Sequence, residues 1–133
     1  MEIAARVRNA GSVHEVELRT GAQVQGLVVA AKAAGPGSSV NGGEFLMLAL
    51  ATCYCNDLYR EAARRGLAIE AVEVEARADF DDVGLAARDV RYRVSVRSSA
   101  TAADLDTLLR ETDAVAEVHN TLRAGVPVVL DRP

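Results

Sequence analysis

Two cysteines set two apart, Cys53 and Cys55, are the only thiols in the 133-residue chain, and they close an almost wholly apolar stretch, FLMLALATCYC. A thiol reacts as its thiolate, which needs a nearby cation or a helix N-terminus to lower its pKa. Asp57, four residues beyond Cys53, shares its helical face and works against ionisation. A guanidinium from elsewhere would have to supply the charge, and Arg6, Arg8 and Arg19 of the N-terminal part are the candidates. The two cysteines do not serve each other, because two positions on a helix are about 200° apart and the sulfurs leave on nearly opposite sides. The alternative is that both are small buried hydrophobes, as free cysteines most often are. His119, at helical spacing from Val115 and Leu122, is either packed with them or takes part in proton transfer. Zinc would need two further ligands, and none are grouped near the cysteines, so neither metal nor cofactor is expected.

The segment that positions the thiols is Asn41 to Gly66. Asn41 followed three residues later by Glu44 has the form of a capping box. Gly66 suits the left-handed residue that closes a helix, and Arg60, Arg64 and Arg65 complement the negative end of its dipole. A helix over 41–66 would run more than about 30 Å. Its first half, Phe45 to Ala51, is apolar at every position, so it should be enclosed on all sides. A helix that long and apolar in so short a chain points to burial between two subunits.

The rest of the chain reads as wrapping. Ile3, Ala5 and Val7 alternate, Val16 and Leu18 alternate again after a turn at Asn9-Ala10-Gly11, and Val24, Gly26 and Val28 suggest a third strand within residues 2–30. The Gly-, Pro- and Ser-rich segment Lys32 to Gly43 lacks the Gly-Lys-Ser/Thr ending of a phosphate-cradling loop and reads as a connector. Beyond the helix, in 68–131, Val72, Val74, Ala76, Ala78 and Phe80 face one way and Glu73, Glu75, Arg77 and Asp79 the other. Val90, Tyr92, Val94 and Val96 alternate with Arg91, Arg93 and Arg97, so acidic and basic outer faces favour a hairpin with a solvated charged surface. Thr101 with Asp104 begins a helix that is expected to kink near Thr112 and end at Gly125, and Val126, Val128 and Leu130 form a last strand that Pro127 makes irregular. The expectation is one α+β domain over 1–133 with a mostly antiparallel sheet around a long central helix.

Composition narrows the partners. Half the residues are apolar, there is no tryptophan, and the net charge is −4, which argues against nucleic acid or an anionic membrane surface. The apolar run Phe45 to Cys55 is too short to span a bilayer, and MEIAARVRNAG lacks the basic-then-apolar order of a signal peptide, so a cytoplasmic, reducing location is expected.

Three stretches in order carry a family resemblance. GGEFLMLALATC resembles the pattern PxELLLAALxxC, AARRGLAIEAVEVEARADF resembles the passage into the strand that follows, and AEVHNTL resembles CPVHxTL; together they are similar to the OsmC/Ohr family of osmotically induced and organic hydroperoxide resistance proteins. The resemblance implies an intertwined homodimer with two long central helices enclosed by sheets, and a thiol peroxidase with a peroxidatic cysteine, a resolving cysteine and an activating arginine and glutamate. Carried over, Cys53 is the peroxidatic cysteine, and His119 is the histidine of the third motif. The resolving position holds Ala116, with Glu117 in place of the proline, so the sulfenic acid would depend on Cys55 after local unwinding or on an external thiol reductant. The activating acid would lie at Gly43; Glu44, one residue later, is nine before Cys53, about 13.5 Å of helical rise, and competes for the role with its place in the capping box. Arg19, in LRTGAQ, is the arginine the resemblance puts forward. The expected function is thiol-dependent reduction of small hydroperoxides, weak or dependent on an outside reductant. The alternative is a non-catalytic dimer that binds a small apolar ligand or serves as a stress-associated scaffold.

Overall fold

The computed structural model describes residues 1–132. Its element order is β1 (Ile3–Ala10), β2 (Val13–Thr20), β3 (Gln23–Gly26), α1 (Gly42–Arg64), β4 (Ile69–Asp79), β5 (Arg88–Ser98), α2 (Ala102–Val115) and α3 (Glu117–Ala124). The strands are antiparallel in two separate sheets, β1-β2-β3 and β4-β5, so the architecture is α+β as expected, with the strands divided between two sheets. The chain forms two compact units, Met1–Phe45 and the residues from Leu46 onward.

In the first unit the alternation of Ile3, Ala5 and Val7 with Val16 and Leu18 becomes a ladder, with Val7 opposite Val16 and Ala5 opposite Leu18. The tight turns place Gly11 and Gly21 at φ of +58° and +56°, the left-handed region that two-residue hairpin loops need. The third strand stops at Gly26, short of the expected Val28, which is fully exposed. After it, Lys32 N–H donates to Gly37 O (3.0 Å) and Ser39 N–H to Ala30 O (2.9 Å), closing a small loop. The capping box is formed in both directions: Asn41 N–H donates to Glu44 Oε2 at 2.8 Å and Glu44 N–H to Asn41 Oδ1 at 2.9 Å. Losing a side-chain cap of this kind costs about 1 kcal/mol. Asn41→Ala should therefore lower the urea midpoint by that loss divided by the m-value, about 0.3–1 M, at unchanged m; an unshifted midpoint would mean that the box does not hold the helix start.

In the second unit Leu50, Tyr54, Leu58 and Ala62 repeat every four residues along α1 and are all buried. This stripe meets Leu108 of α2 and Ala116 in one core cluster, flanked by Val72, Val74, Tyr92, Val94 and Val96 from the inner faces of β4 and β5. The helix ends as its sequence requires: Leu67 N–H donates to Ala62 O (2.9 Å) and Gly66 N–H to Ala63 O (3.1 Å), with Gly66 at φ +67°. These are the two bonds of the Schellman motif. On the outer hairpin face Glu75 pairs with Arg93 and Glu70 with Arg97, while Arg77 sits directly opposite Arg91. Asp79 and Arg88, opposite each other near the turn, also pair at 3.6 Å, so the charge complementarity foreseen for the hairpin holds at these three places and fails at the Arg77–Arg91 rung.

Two expectations need correction. The C-terminal helix does not kink at Thr112, which stays helical with its hydroxyl bonded to Leu108 O at 2.8 Å. The break is at Ala116, whose extended backbone (φ −71°, ψ 102°) both ends α2 and precedes α3. The last strand over Val126 to Leu130 does not form. A strand exists through its ladder, Pro127 has no N–H to give, and among the described residues no strand pairs with this segment. Within one chain the first half of α1 is not fully enclosed, since Leu48 is 55 % exposed.

Candidate functional site

Cys53 lies on the core side of α1, half-buried, and its surroundings come from two places in the chain. Four residues on, Asp57 Oδ2 lies 3.5 Å from the sulfur and accepts its proton in a hydrogen bond. From the first turn of α3, Glu117 Oε2 lies 3.9 Å away, and the backbone N–H of Val118, in the same turn, favours the ionised sulfur. The break at Ala116 makes this arrangement. It begins a new helix with no side-chain cap, and the first turn of that helix has backbone N–H groups without helical partners.

The electrostatics oppose ionisation. Burial pushes the Cys53 thiol up, Asp57 and Glu117 push it further up, and the Val118 N–H pulls against them. Asp57 is itself only 4 % exposed, and its other oxygen is bound by Arg60 Nη1 at 2.6 Å. That guanidinium is therefore one carboxylate removed from the sulfur. Among the described residues no arginine or lysine hydrogen-bonds Cys53. With Asp57→Asn the raising influence of one carboxylate disappears while burial remains. The thiol should titrate lower than in the parent, and alkylation of Cys53 at neutral pH should speed up several-fold. In the parent protein the alkylation rate should keep climbing into the alkaline range. Labelling rates across a pH series check both, and a slower variant at neutral pH would contradict this electrostatic picture.

Arg19 pairs with Glu2, Arg6 with Glu17 and Arg8 with Glu15, all within the N-terminal unit, and Glu44 serves the helix cap. Cys55 is half-buried and unbridged, about 200° round the helix from Cys53. Ala116, at the position of the missing resolving cysteine, is fully buried. His119 is 3 % exposed and packs edge-on against Tyr92, ring centres 4.6 Å apart, with Tyr54 at 5.8 Å. Burial, then Arg123, holds its pKa below the ordinary histidine value, so the ring is neutral at physiological pH.

Residue spacing alone does not reveal that Glu117, 64 residues on, stands beside Cys53; only the resemblance, which makes Ala116 the resolving position, brings that segment near it. The sulfur and one oxygen each from Asp57 and Glu117 lie within 4.8 Å of one another, a set of donors that could hold a cation and that the sequence expectation missed. The neighbouring Arg60 already offsets part of their charge. What the arrangement offers chemically is a single reachable thiol, protonated at rest, at the start of a helix.

The family model described as OsmC-like protein matches residues 35–131. No curated protein matches the chain. Among solved structures, an OsmC like protein from Mycoplasma pneumoniae superposes with a TM-score of 0.64 at 12% identity, covering 92% of this chain and 89% of that one. An organic hydroperoxide resistance protein from Elizabethkingia anophelis gives 0.63 at 14% identity over 92% and 89%. The organic hydroperoxide resistance protein OhrB of Bacillus subtilis gives 0.53 at 16% over 95% and 93%. At these identities the likeness establishes the fold.

Proposed function

This chain belongs to the OsmC-like protein family, and on that footing we propose that it reduces organic hydroperoxides through Cys53, with the sulfur restored by an external thiol. The observation that carries the reading is the place of the sulfur: half-exposed and beside the first turn of α3, whose Glu117 reaches it. A helix N-terminus favours negative charge. In the reaction the thiolate attacks the terminal peroxide oxygen, the O–O bond breaks, and the departing alkoxide takes up the proton that left the sulfur. The products are an alcohol and Cys53 sulfenic acid. One external thiol then forms a mixed disulfide and releases water, and a second frees Cys53 as a disulfide of the two reductants departs. With Ala116 at the resolving position and Cys55 on another side of the helix, the cycle uses one protein cysteine. The carboxylates beside it make the enzyme slow at neutral pH. A reducing compartment such as the cytoplasm would supply the reductant, and no helix among the described residues is long and apolar enough to cross a membrane.

A homodimer is part of the proposal. Leu48 is 55 % exposed, and Val128, Val129 and Leu130 are 99 %, 74 % and 82 % exposed, more apolar surface than a lone chain leaves uncovered without use. A second copy is the cover we assign to it. Sedimentation should give twice the 14.1 kDa chain mass; a monomer at micromolar concentration would remove this part of the reading. The catalytic part is tested by mixing the protein with cumene hydroperoxide and excess dithiothreitol, following peroxide loss and alcohol formation. Equal amounts of each, repeated over many turnovers, are expected; peroxide loss no faster than with dithiothreitol alone would overturn it.

A further inference from the structure

A cleft of about 250 Å³ is lined by Leu50, Val90, Tyr92, His119, Leu122 and Arg123. Its walls are aliphatic, and His119 stands in it with neither ring nitrogen bonded to any group of the described residues. Buried polar atoms are nearly always paired, and leaving one unpaired costs free energy. The hydroxyls of the two rings packed on it spend their protons elsewhere, Tyr92 on Asp113 and Tyr54 on Leu109 O at 2.8 Å. Neither can donate to the imidazole without breaking that bond. We propose that this cleft binds a small uncharged alcohol or phenol, with its hydroxyl on His119 and its hydrocarbon part against Leu50, Val90 and Leu122.

The chemistry of the lining selects that class. A neutral imidazole offers one donor and one acceptor, and a hydroxyl is the smallest group that can answer either one. Arg123 does not call for an anion, since it is held by the Asp113 carboxylate at 2.7 Å and by Asp113 O and Asn120 Oδ1 at 3.3 Å. Both imidazole nitrogens lie beneath the solvent surface at rest, so the hydroxyl reaches one of them through a turn of the ring about its terminal torsion, which is soft in histidine. The cleft is below the usual size of a drug-binding pocket, about 300–1,000 Å³. It suits a ligand of about eight to ten heavy atoms, bound with millimolar to sub-millimolar affinity. Nothing here requires Cys53 to react, so the proposal stands or falls separately from the peroxidase reading.

The test is a titration of the full chain, labelled in its histidine rings, with benzyl alcohol, toluene and benzoate, followed by NMR. The chain has two histidines, and His14, half-buried in the first unit beside Asn9, is the internal control. Benzyl alcohol should shift the His119 ring nitrogens saturably and leave His14 unmoved. It should bind about tenfold more tightly than toluene, the value of one net hydrogen bond, and more tightly than benzoate. His119→Leu removes the unpaired group and should keep the fold, because replacing an unsatisfied polar side chain by an apolar one of similar size is nearly neutral. That variant should bind toluene and benzyl alcohol equally. Equal affinities in the parent, tighter binding of benzoate, an unshifted His119 at saturating alcohol, or an alcohol preference that survives in His119→Leu would each overturn the proposal.

Discussion

Cys53→Ala is expected to reduce hydroperoxide turnover to the rate of the external thiol alone, a loss of at least about 100-fold, while Cys55→Ala keeps activity within about twofold. The contrast follows from the helix. Both sulfurs are half-buried and unbridged, but only Cys53 meets the start of α3 and the Asp57 and Glu117 carboxylates. The loss in Cys53→Ala cannot be put down to unfolding. The residue flanks the core cluster without being sealed in it, and truncation takes only a weak S–H donor from Asp57, which Arg60 still holds, so stability should change by no more than about 1 kcal/mol. Thermal unfolding of the same samples gives that control. Equal activity of the two variants would remove Cys53 from the mechanism, and a large loss in Cys55→Ala would mean that the cycle needs both thiols.

Leu58→Ala should carry a large stability cost, about 3 kcal/mol within the range of 2–5 for buried leucines. Leu58 and Leu108 are both fully buried and share one cluster with Tyr54, Ala62 and Ala116. Its cluster neighbours on the C-terminal side and at the helix break are alanines, too short to fold into a vacated space, so the cavity would persist and its full cost be paid. Against a total stability of about 5–15 kcal/mol, this is a large fraction of what holds the chain folded. Leu108→Ala should cost a similar amount. The double variant should lose less than the sum, since the two side chains share one cluster and the first cavity already removes part of what the second would lose. Urea titrations with an unchanged m-value check this. A cost below about 1 kcal/mol for Leu58→Ala would mean that the stripe on α1 is not what the second unit is built on.

Features encoded within a few residues were legible in the sequence. Asn41 and Glu44 lie three apart and announce the helix start; Phe45 to Ala51 mark its apolar first half; Gly66 marks its end. The alternations that became β1, β2, β4 and β5 are equally local. Misreadings arose where a distant partner decides the outcome. Val126 to Leu130 has the alternation of a strand but no ladder to join, so pattern alone misled. Thr112 resembles a helix breaker, yet it is buried and satisfied by Leu108 O, and the break falls at Ala116, a good helix former, for which the sequence offers no signal. The candidate site divides in the same way. Asp57 was visible beside Cys53 at a spacing of four. Glu117 and the Val118 amide were not, because they depend on how α3 returns to α1, and a backbone N–H carries no mark in the amino-acid alphabet. The aromatic neighbours of His119, Tyr54 and Tyr92, come from two further elements and were hidden for the same reason.

The central claim is that the Cys53 sulfur, although held protonated by its neighbours, is the atom that hydroperoxide oxidises. Trapping with dimedone during exposure to cumene hydroperoxide, followed by peptide mass spectrometry, tests it most directly. The adduct should appear on Cys53 and not on Cys55, and should form faster as the pH is raised. No adduct on Cys53 under conditions where peroxide is consumed, or an adduct on Cys55 instead, would contradict it.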